Sequence, residues 1–272
     1  MYTPLSKADL ENYFHFSKKF AEALFDIRDY LISQQTSVTT SKIKSCWLDH
    51  FRSCDLEIFY PFANEKNSLG EAFGEPICIS VNNCVAHGKN QCVIHPGDSV
   101  TIDAGISIKS QVKRERKLYF DSAVSCVVGS KEMPPEMQGT LEVLKQIGNY
   151  STSKPLSLRP RDLSKIIYET LSSQSLSPIV SLSGHLIGYQ MHMLPGIPNA
   201  VYSEHGYESI PPGALINPEP MAVANDSFTT CPTWLDNDYW SVLAPYRSSH
   251  WETTFYYNGN SLHDVMGITQ EM

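Results

Sequence analysis

The chain has 272 residues, 42% of them hydrophobic and 18% charged, with a formal net charge of −8 at pH 7. That length can bury a full core, and the acidic balance leaves no basic excess to neutralise phosphates, which argues against a DNA-binding role. Seven cysteines (46, 54, 78, 84, 92, 126, 231), odd in number and never spaced Cys-x-x-Cys, suit a reducing compartment rather than a disulfide framework or a thiolate zinc site.

Ser6-Lys-Ala-Asp9 reads as a capping box, and Leu10, Phe14, Ala21, Leu24, Ile27 and Leu31 follow helical spacing, which predicts a first helix over about Ala8 to Ile32. The N-terminus lacks a basic start followed by an apolar segment, and no apolar run approaches a membrane span, so a cytoplasmic protein is expected. Thr39-Thr-Ser opens a second helix with Ile43, Trp47 and Phe51 on one face. Residues 54–76, with Pro61, Gly70, Gly74 and Pro76, read as a strand plus a long loop. Strands are expected around Ile77–Val85, Ser99–Ile108 and Leu118–Val128. Pro134-Pro135 starts a third helix carrying Met137, Leu141, Leu144 and Ile147, residues 151–157 form a linker, and a fourth helix covers Arg159 to Ser173. Apolar strands follow at Ile179–Leu182, Ala214–Met221 and Trp251–Tyr257. Each half thus runs helix, helix, strands, a hint of pseudo-symmetry without a sequence repeat, and one domain over 1–272 is expected.

The chemistry concentrates at five acids and imidazoles in apolar surroundings. Asp103 and Asp121 each sit within an apolar, β-branched run, and the basic segment Lys109–Lys117 between them reads as a hairpin that can bring the carboxylates together. Two facing buried carboxylates repel and lose hydration unless protons or cations compensate. Ser183-Gly184-His185-Leu-Ile-Gly188 reads as a glycine-flanked turn at a strand end, with His192 shortly after it. Glu219 lies in an apolar strand between two prolines, and Glu252 in an aromatic-rich terminal strand. Singly, each aspartate reads more readily as a turn or capping residue than as a ligand, and His185 more readily as a satisfied buried histidine. Together, four carboxylates and one imidazole suit two divalent ions of the Mn, Fe(II), Co or Zn type, which carboxylates can bridge.

In this order and context, Ser-Val-Asn-Asn-Cys-Val-Ala-His87-Gly, Pro96-Gly-Asp-Ser-Val-Thr-Ile-Asp103, Asp121 to Gly129, Gly184-His185-x-Ile-Gly188 with His192, Pro212 to Met221 and His250-Trp-Glu252-Thr-Thr resemble the methionine aminopeptidase family of pita-bread metallopeptidases, in its short bacterial form (type I). The resemblance covers nearly the whole chain. It implies an α+β pita-bread fold of the creatinase/aminopeptidase kind, with two pseudo-symmetric helix-helix-strand halves around a curved antiparallel sheet. The implied activity is removal of N-terminal methionine from peptides or nascent proteins. Asp103, Asp121, His185, Glu219 and Glu252 would be the metal ligands, Asp103 bidentate and Glu252 bridging. Glu219 would also be the general base for the attacking water. His87 would face the scissile amide, and His192 would hydrogen-bond the peptide carbonyl oxygen. Phe73, Cys78, Met191 and Trp240 would line the pocket for the N-terminal side chain. The resemblance also implies a monomer.

The chain departs from the family's pattern. The aspartates are spaced more widely than usual, so the Lys109–Lys117 hairpin is extended. Leu186 replaces the second glycine of the Gly-His-Gly-Ile-Gly turn and is expected to crowd the cleft beside His185; Met193, Thr253 and Pro218 are further replacements. The remaining histidines (15, 50, 95, 205, 250, 263) read as surface or locally bonded, with His250 able to reach the site from beside Glu252. The basic residues Lys109, Lys113, Arg114, Arg116 and Lys117 read as a solvated hairpin tip, or as a contact for ribosomal RNA near nascent chains. Two other functions stay open: an Xaa-Pro hydrolase, whose relatives generally carry an extra N-terminal domain that this chain is too short to hold, and a catalytically inactive pita-bread binding module.

Overall fold

A serine hydroxyl starts the fold: Ser6 Oγ accepts from the backbone N–H of Asp9 at 3.2 Å and caps a 27-residue helix, α1 (Lys7–Ser33). The computed structural model describes residues 2–270 apart from positions 53, 55, 90–91, 114, 152–157, 202–207 and 226–229; the expected linker over 151–157 lies almost wholly outside the described residues, as do Arg114 and His205. After α1 come β1 (Val38–Thr39), α2 (Thr40–Phe51), β2 (Cys78–Val81), β3 (Cys84–Ala86), β4 (Val93–Ile94), β5 (Ser99–Lys109) and β6 (Lys117–Val127). The second half holds α3 (Pro135–Gly148), α4 (Pro160–Ser173), β7 (Ser177–Pro178), β8 (Ser183–Ile187), β9 (Met193–Pro198) and β10 (Leu215–Asn217). It ends with β11 (Met221–Val223), β12 (Trp234–Leu235), β13 (Val242–Leu243), β14 (Ser248–His250), β15 (Phe255–Tyr257) and β16 (Leu262–Asp264).

All four expected helices are present, each starting within about one residue of its expected position. The apolar stripe of α1 packs onto β6, with Tyr13 stacked on Phe120 at 4.3 Å between ring centroids. Strands in named sheets pair antiparallel throughout: β2-β5-β6 in the first half, and β16-β15-β10-β8-β9 with β14-β11-β7 in the second. A backbone bridge between Ala123 and Glu252 ties the two halves together where the carboxylates gather. One buried cluster takes in residues from Tyr2 to Ile268. Among the described residues no helix is long and apolar enough to cross a membrane.

Several expected strands are corrected. Ile77–Val85 is broken by the turn at Asn82-Asn83, where Asn82 adopts φ 56°. Ile179–Leu182 is no strand: Ile179 makes an isolated bridge to Cys231 and donates its N–H to Met221 O at 2.9 Å, and no ladder runs on to Leu182. Ala214–Met221 splits into β10 and β11, since Pro218 and Pro220 have no N–H for a ladder. Trp251–Tyr257 is interrupted likewise, with Glu252 between β14 and β15. In 54–76 the described residues contain two isolated bridges, Phe59 to Ser107 and Lys66 to Ala72, and a 3-10 turn at Phe62–Asn64 in place of a strand.

The extended hairpin tip is docked on the start of α1, away from the cleft. The buried Asp9 carboxylate accepts from Ser110 Oγ at 2.9 Å, the Gln111 N–H at 3.2 Å and Tyr189 Oη at 2.7 Å, and these bonds hold its pKa below the ordinary value in spite of its lost hydration. Lys113 and Arg116 lie over the Tyr189 ring, Lys117 lies over Phe59, and Lys109 pairs with Glu57.

Candidate metal centre

The register of the long hairpin places the two aspartates. Asp103 stands opposite Ala123 and Asp121 opposite Gly105, so the carboxylates are diagonal neighbours on one face of the ladder, as alternation predicts. The open place at Gly105 is filled by a neighbour: a Cβ there would lie 1.9 Å from Met191 Cε and 3.0 Å from Phe62 Cε1.

The second half brings the other three residues. His185 lies within β8, a strand rather than the expected turn, opposite Asn217 of β10. Gly184 permits that pairing, because a Cβ would meet Asn217 O at 2.4 Å and the Glu219 nitrogen at 2.9 Å. Glu252 is fixed to β6 by its own N–H donating to Ala123 O at 3.0 Å, while its carbonyl accepts from Ser122 Oγ at 2.5 Å. The result is one cluster. His185 Nε2 is 3.3 Å from Glu219 Oε1, 3.8 Å from Asp121 Oδ2 and 3.9 Å from Glu252 Oε1. Asp103, Asp121 and Glu252 present oxygens all within 4.8 Å of one another.

Burial dominates the electrostatics. Asp103 is pushed up to about 7 by lost hydration and then by the charge of Glu65. Asp121 is raised well above the ordinary carboxylate range by burial, then by Asp103 and Glu219; Glu252 is raised by burial, then by Asp121 and Glu219. Glu219 follows the same pattern, through burial and then Asp103. The same burial pushes His185 down to about 4, so its approaches to the carboxylates are not ion pairs. Its Nδ1–H donates to Leu186 O at 3.0 Å, which leaves the Nε2 lone pair facing the acids. His185 Nε2 and Asp121 Oδ1 are buried without a hydrogen-bond partner. Such a set of orphaned oxygen and nitrogen donors fits divalent cations, which would relieve the repulsion and the lost hydration together.

Of the eleven expected site residues, nine line a single cavity: Phe73, Cys78, His87, Asp103, Asp121, His192, Glu219, Trp240 and Glu252. The other two sit beside it. His185 reaches the carboxylates as described, and Met191 joins Phe62, Phe73, Cys78 and Trp240 in a separate buried apolar cluster. Phe73 meets Trp240 edge-on at 5.1 Å, and Cys78 stands opposite Asp103 in the ladder, with burial pushing its thiol well up. His192 stands at the rim, its ring 4.6 Å from that of His185 and perpendicular to it. His87 takes φ 56°, and burial lowers its pKa.

Leu186 corrects an expectation. It alternates away from His185 and packs fully buried in the main core instead of crowding the cleft. Thr253 is likewise buried and donates to Asp264 at 2.8 Å, away from the carboxylates. His15, His50, His95 and His263 are exposed or half-buried, as expected, whereas His250 is buried beside the glutamates. Two further residues of the site carry little or no sequence signal. Asn217 is fully buried and donates from Nδ2 to Glu252 Oε1 at 2.6 Å and to Asp121 O at 3.1 Å. Its signal was its place two positions before Glu219. Glu65, which lines the cavity from the 54–76 loop, gave no signal at all.

The chain is similar to known proteins in sequence and in fold. The chain is 32% identical to the methionine aminopeptidase of Aquifex aeolicus over 185 residues, 65% of this chain and 66% of that one. It is 27% identical to the methionine aminopeptidase of Staphylococcus epidermidis over 161 residues, 61% of that protein. The matched segments thus span less than two thirds of these relatives. In three dimensions the chain superposes on methionine aminopeptidase from Thermotoga maritima with a TM-score of 0.79 and 25% identity, covering 98% of this chain and 99% of that one, so the fold is the pita-bread fold. Because the model of metallopeptidase family M24 matches residues 38–257, a span that holds every clustered carboxylate, His87 and His192, the chain belongs to that family.

Proposed function

We propose that this chain is a single-domain, monomeric metal-dependent aminopeptidase of the cytoplasm that removes methionine from the N-termini of peptides or nascent proteins. The observation that carries this reading is the juxtaposition of two features. Three buried carboxylates, the half-buried Glu219 and an imidazole, with orphaned donor atoms on Asp121 and His185, stand directly beside an apolar pocket of aromatic and sulfur-bearing side chains. Aromatic rings and a thiol suit a thioether, whose sulfur gains from contact with ring edges. Seven free cysteines fit a reducing compartment.

In this reading Asp103, Asp121, His185, Glu219 and Glu252 hold two divalent ions of the Co, Mn, Fe(II) or Zn type. Such ions, when bound, supply Lewis acidity that polarises a carbonyl and lowers the pKa of water. Glu219 is the base that takes the proton of the attacking water and later delivers it to the leaving amine. Its raised affinity for protons, caused by burial, suits it to carry one through the reaction. His192 donates a hydrogen bond to the carbonyl oxygen as charge develops there, and His87 faces the scissile amide. Phe73, Cys78, Met191 and Trp240, together with Phe62, hold the side chain of the first residue.

The test is release of free methionine from a Met-Ala-Ser peptide. Activity should require added divalent metal, disappear with chelator, and fall at least 100-fold in Glu219→Gln while the fold is kept. Cleavage of Xaa-Pro peptides but not of Met-Ala-Ser would replace the specificity. Stoichiometric metal uptake without hydrolysis of any short peptide would leave a binding module. The basic hairpin tip is proposed as a ribosome contact; unchanged pelleting of a Lys113→Glu variant with ribosomes at low salt would remove that part.

A further inference from the structure

The five residues assigned above leave one buried group in the site unused. His250 is 2% exposed, and neither of its ring nitrogens has a hydrogen-bond partner. It precedes Glu252 by two positions on an extended segment, so both side chains project from the same face. Its Nε2 lies 3.8 Å from Glu219 Oε2 and 3.8 Å from Glu252 Oε2. His185 approaches the same two side chains from the other side, at 3.3 Å from Glu219 Oε1 and 3.9 Å from Glu252 Oε1. The two imidazoles therefore bracket the glutamates, each beside a different oxygen of each carboxylate. His250 also lines the cleft that adjoins the carboxylate cavity, together with Asp103, Glu219 and His192.

A carboxylate that bridges two ions directs one oxygen to each. The oxygens of Glu252 and Glu219 that face away from His185 are the ones that His250 meets. We propose that His250 is a metal ligand, so that the centre has four carboxylates and two imidazoles, with one imidazole nitrogen for each ion. This rests on the two-ion reading of the site given above. A histidine kept to steady a glutamate by hydrogen bonding would sit at about 2.7–3.2 Å from it, and no such contact is made by either nitrogen. The spacing instead leaves room for an ion between nitrogen and oxygens, and burying an imidazole with no partner is otherwise costly. A second nitrogen donor shifts the site's preference away from Mn and towards Co, Fe(II) or Zn.

Metal-free wild type, His250→Ala and His250→Gln are titrated with Co(II), followed by calorimetry and by visible absorption. Wild type should take up two ions. The His250→Ala protein should keep one near its wild-type affinity and lose at least about 100-fold on the other, since removing even a ligand's supporting partner costs about 10–100-fold. The ratio of Co(II) to Mn(II) affinity at the weaker position should fall with it. Two ions bound by both variants with wild-type affinities and spectra would overturn the assignment while leaving the two-ion reading intact. A wild type that takes up no second ion would overturn both. A readout independent of the variants' folding is the proton NMR spectrum of Co(II)-loaded wild type in water. Two strongly shifted, solvent-exchangeable imidazole N–H signals are expected, and a single one refutes the proposal.

Discussion

Asn217 offers the sharpest test of how the site is held. Its Nδ2 donates to both Glu252 Oε1 at 2.6 Å and Asp121 O at 3.1 Å, and the residue is wholly shielded from water. Asn217→Ala removes both bonds and leaves two buried acceptors without a donor. A hydrogen bond to a charged group contributes about 1.5–3 kcal/mol and a neutral one about 0.5–1.5 kcal/mol, so the loss should come to about 3 kcal/mol. At about 2 °C per kcal/mol for a chain of this length, Tm should fall by about 6 °C in the metal-loaded protein. Differential scanning calorimetry measures this, and calorimetric titration with Mn(II) should show weaker binding as well, because Glu252 is no longer oriented. The combined variant with Glu252→Gln should lose less than the sum of the two single changes, since both act on one contact. Strict additivity, or an Asn217→Ala protein with wild-type Tm and metal affinity, would show that the contact positions nothing.

Gly184→Ala should lower Tm and cut kcat by roughly 100-fold, because its Cβ meets backbone atoms of Asn217, Pro218 and Glu219 that can yield only by moving Glu219 relative to His185. Gly105→Ala, whose nearest neighbour is the flexible end of Met191, should instead change KM for methionine peptides more than Tm, as steady-state kinetics and thermal melts would reveal. Metal uptake should weaken by at least about tenfold for each pH unit below 7, the one proton of Asp103 setting the minimum and the other three raised carboxylates steepening the slope. A carboxylate raised to about 7 must lose its proton before it can bind a cation, whereas His185, at about 4, is already neutral and releases none. Titrations between pH 5.5 and 7.5 should show this slope, and Asp103→Asn should flatten it by about one proton. Finally, saturating metal at 100 times its Kd should stabilise the folded chain by about 2.7 kcal/mol, read as a rise in Tm that chelator reverses.

How far the sequence foretold this site depended on what fixed each residue. Asp103 and Asp121 lie in strands whose alternation is visible in the chain, and their register followed from the hairpin between them. The helices were equally plain, because their apolar stripes and caps are local signals. Leu186 is the opposite case. A turn was expected around His185, and a turn would have let the leucine face the cleft; a strand puts it on the other face. Glu65 was invisible, since no periodicity governs a loop whose path is set by contacts with Phe59–Ser107 and Phe73. The sequence places His250 within reach of the site from beside Glu252 and says no more of it. That both its nitrogens are buried without partners is a fact of packing and has no trace in the sequence.

The two glutamates show how the chain places a charged group where no ladder can hold it. The aspartates sit inside continuous pairing, but Glu219 falls in the gap between β10 and β11 and Glu252 in the gap between β14 and β15. A residue outside the ladder is ordinarily free to wander, yet Pro218 and Pro220 fix φ on either side of Glu219 and drive Asn217 and Glu219 towards extended backbone. The Pro220 carbonyl then accepts from the Trp251 N–H at 3.4 Å, which sets the segment bearing Glu219 beside the one bearing Glu252. Glu252 itself is tied to Ala123, two residues from Asp121 along β6. Stiff rings therefore replace ladder bonds at one glutamate, and a single bridge to the first half replaces them at the other. Pro218 and Pro220 thus keep the Glu219 carboxylate in place without a ladder.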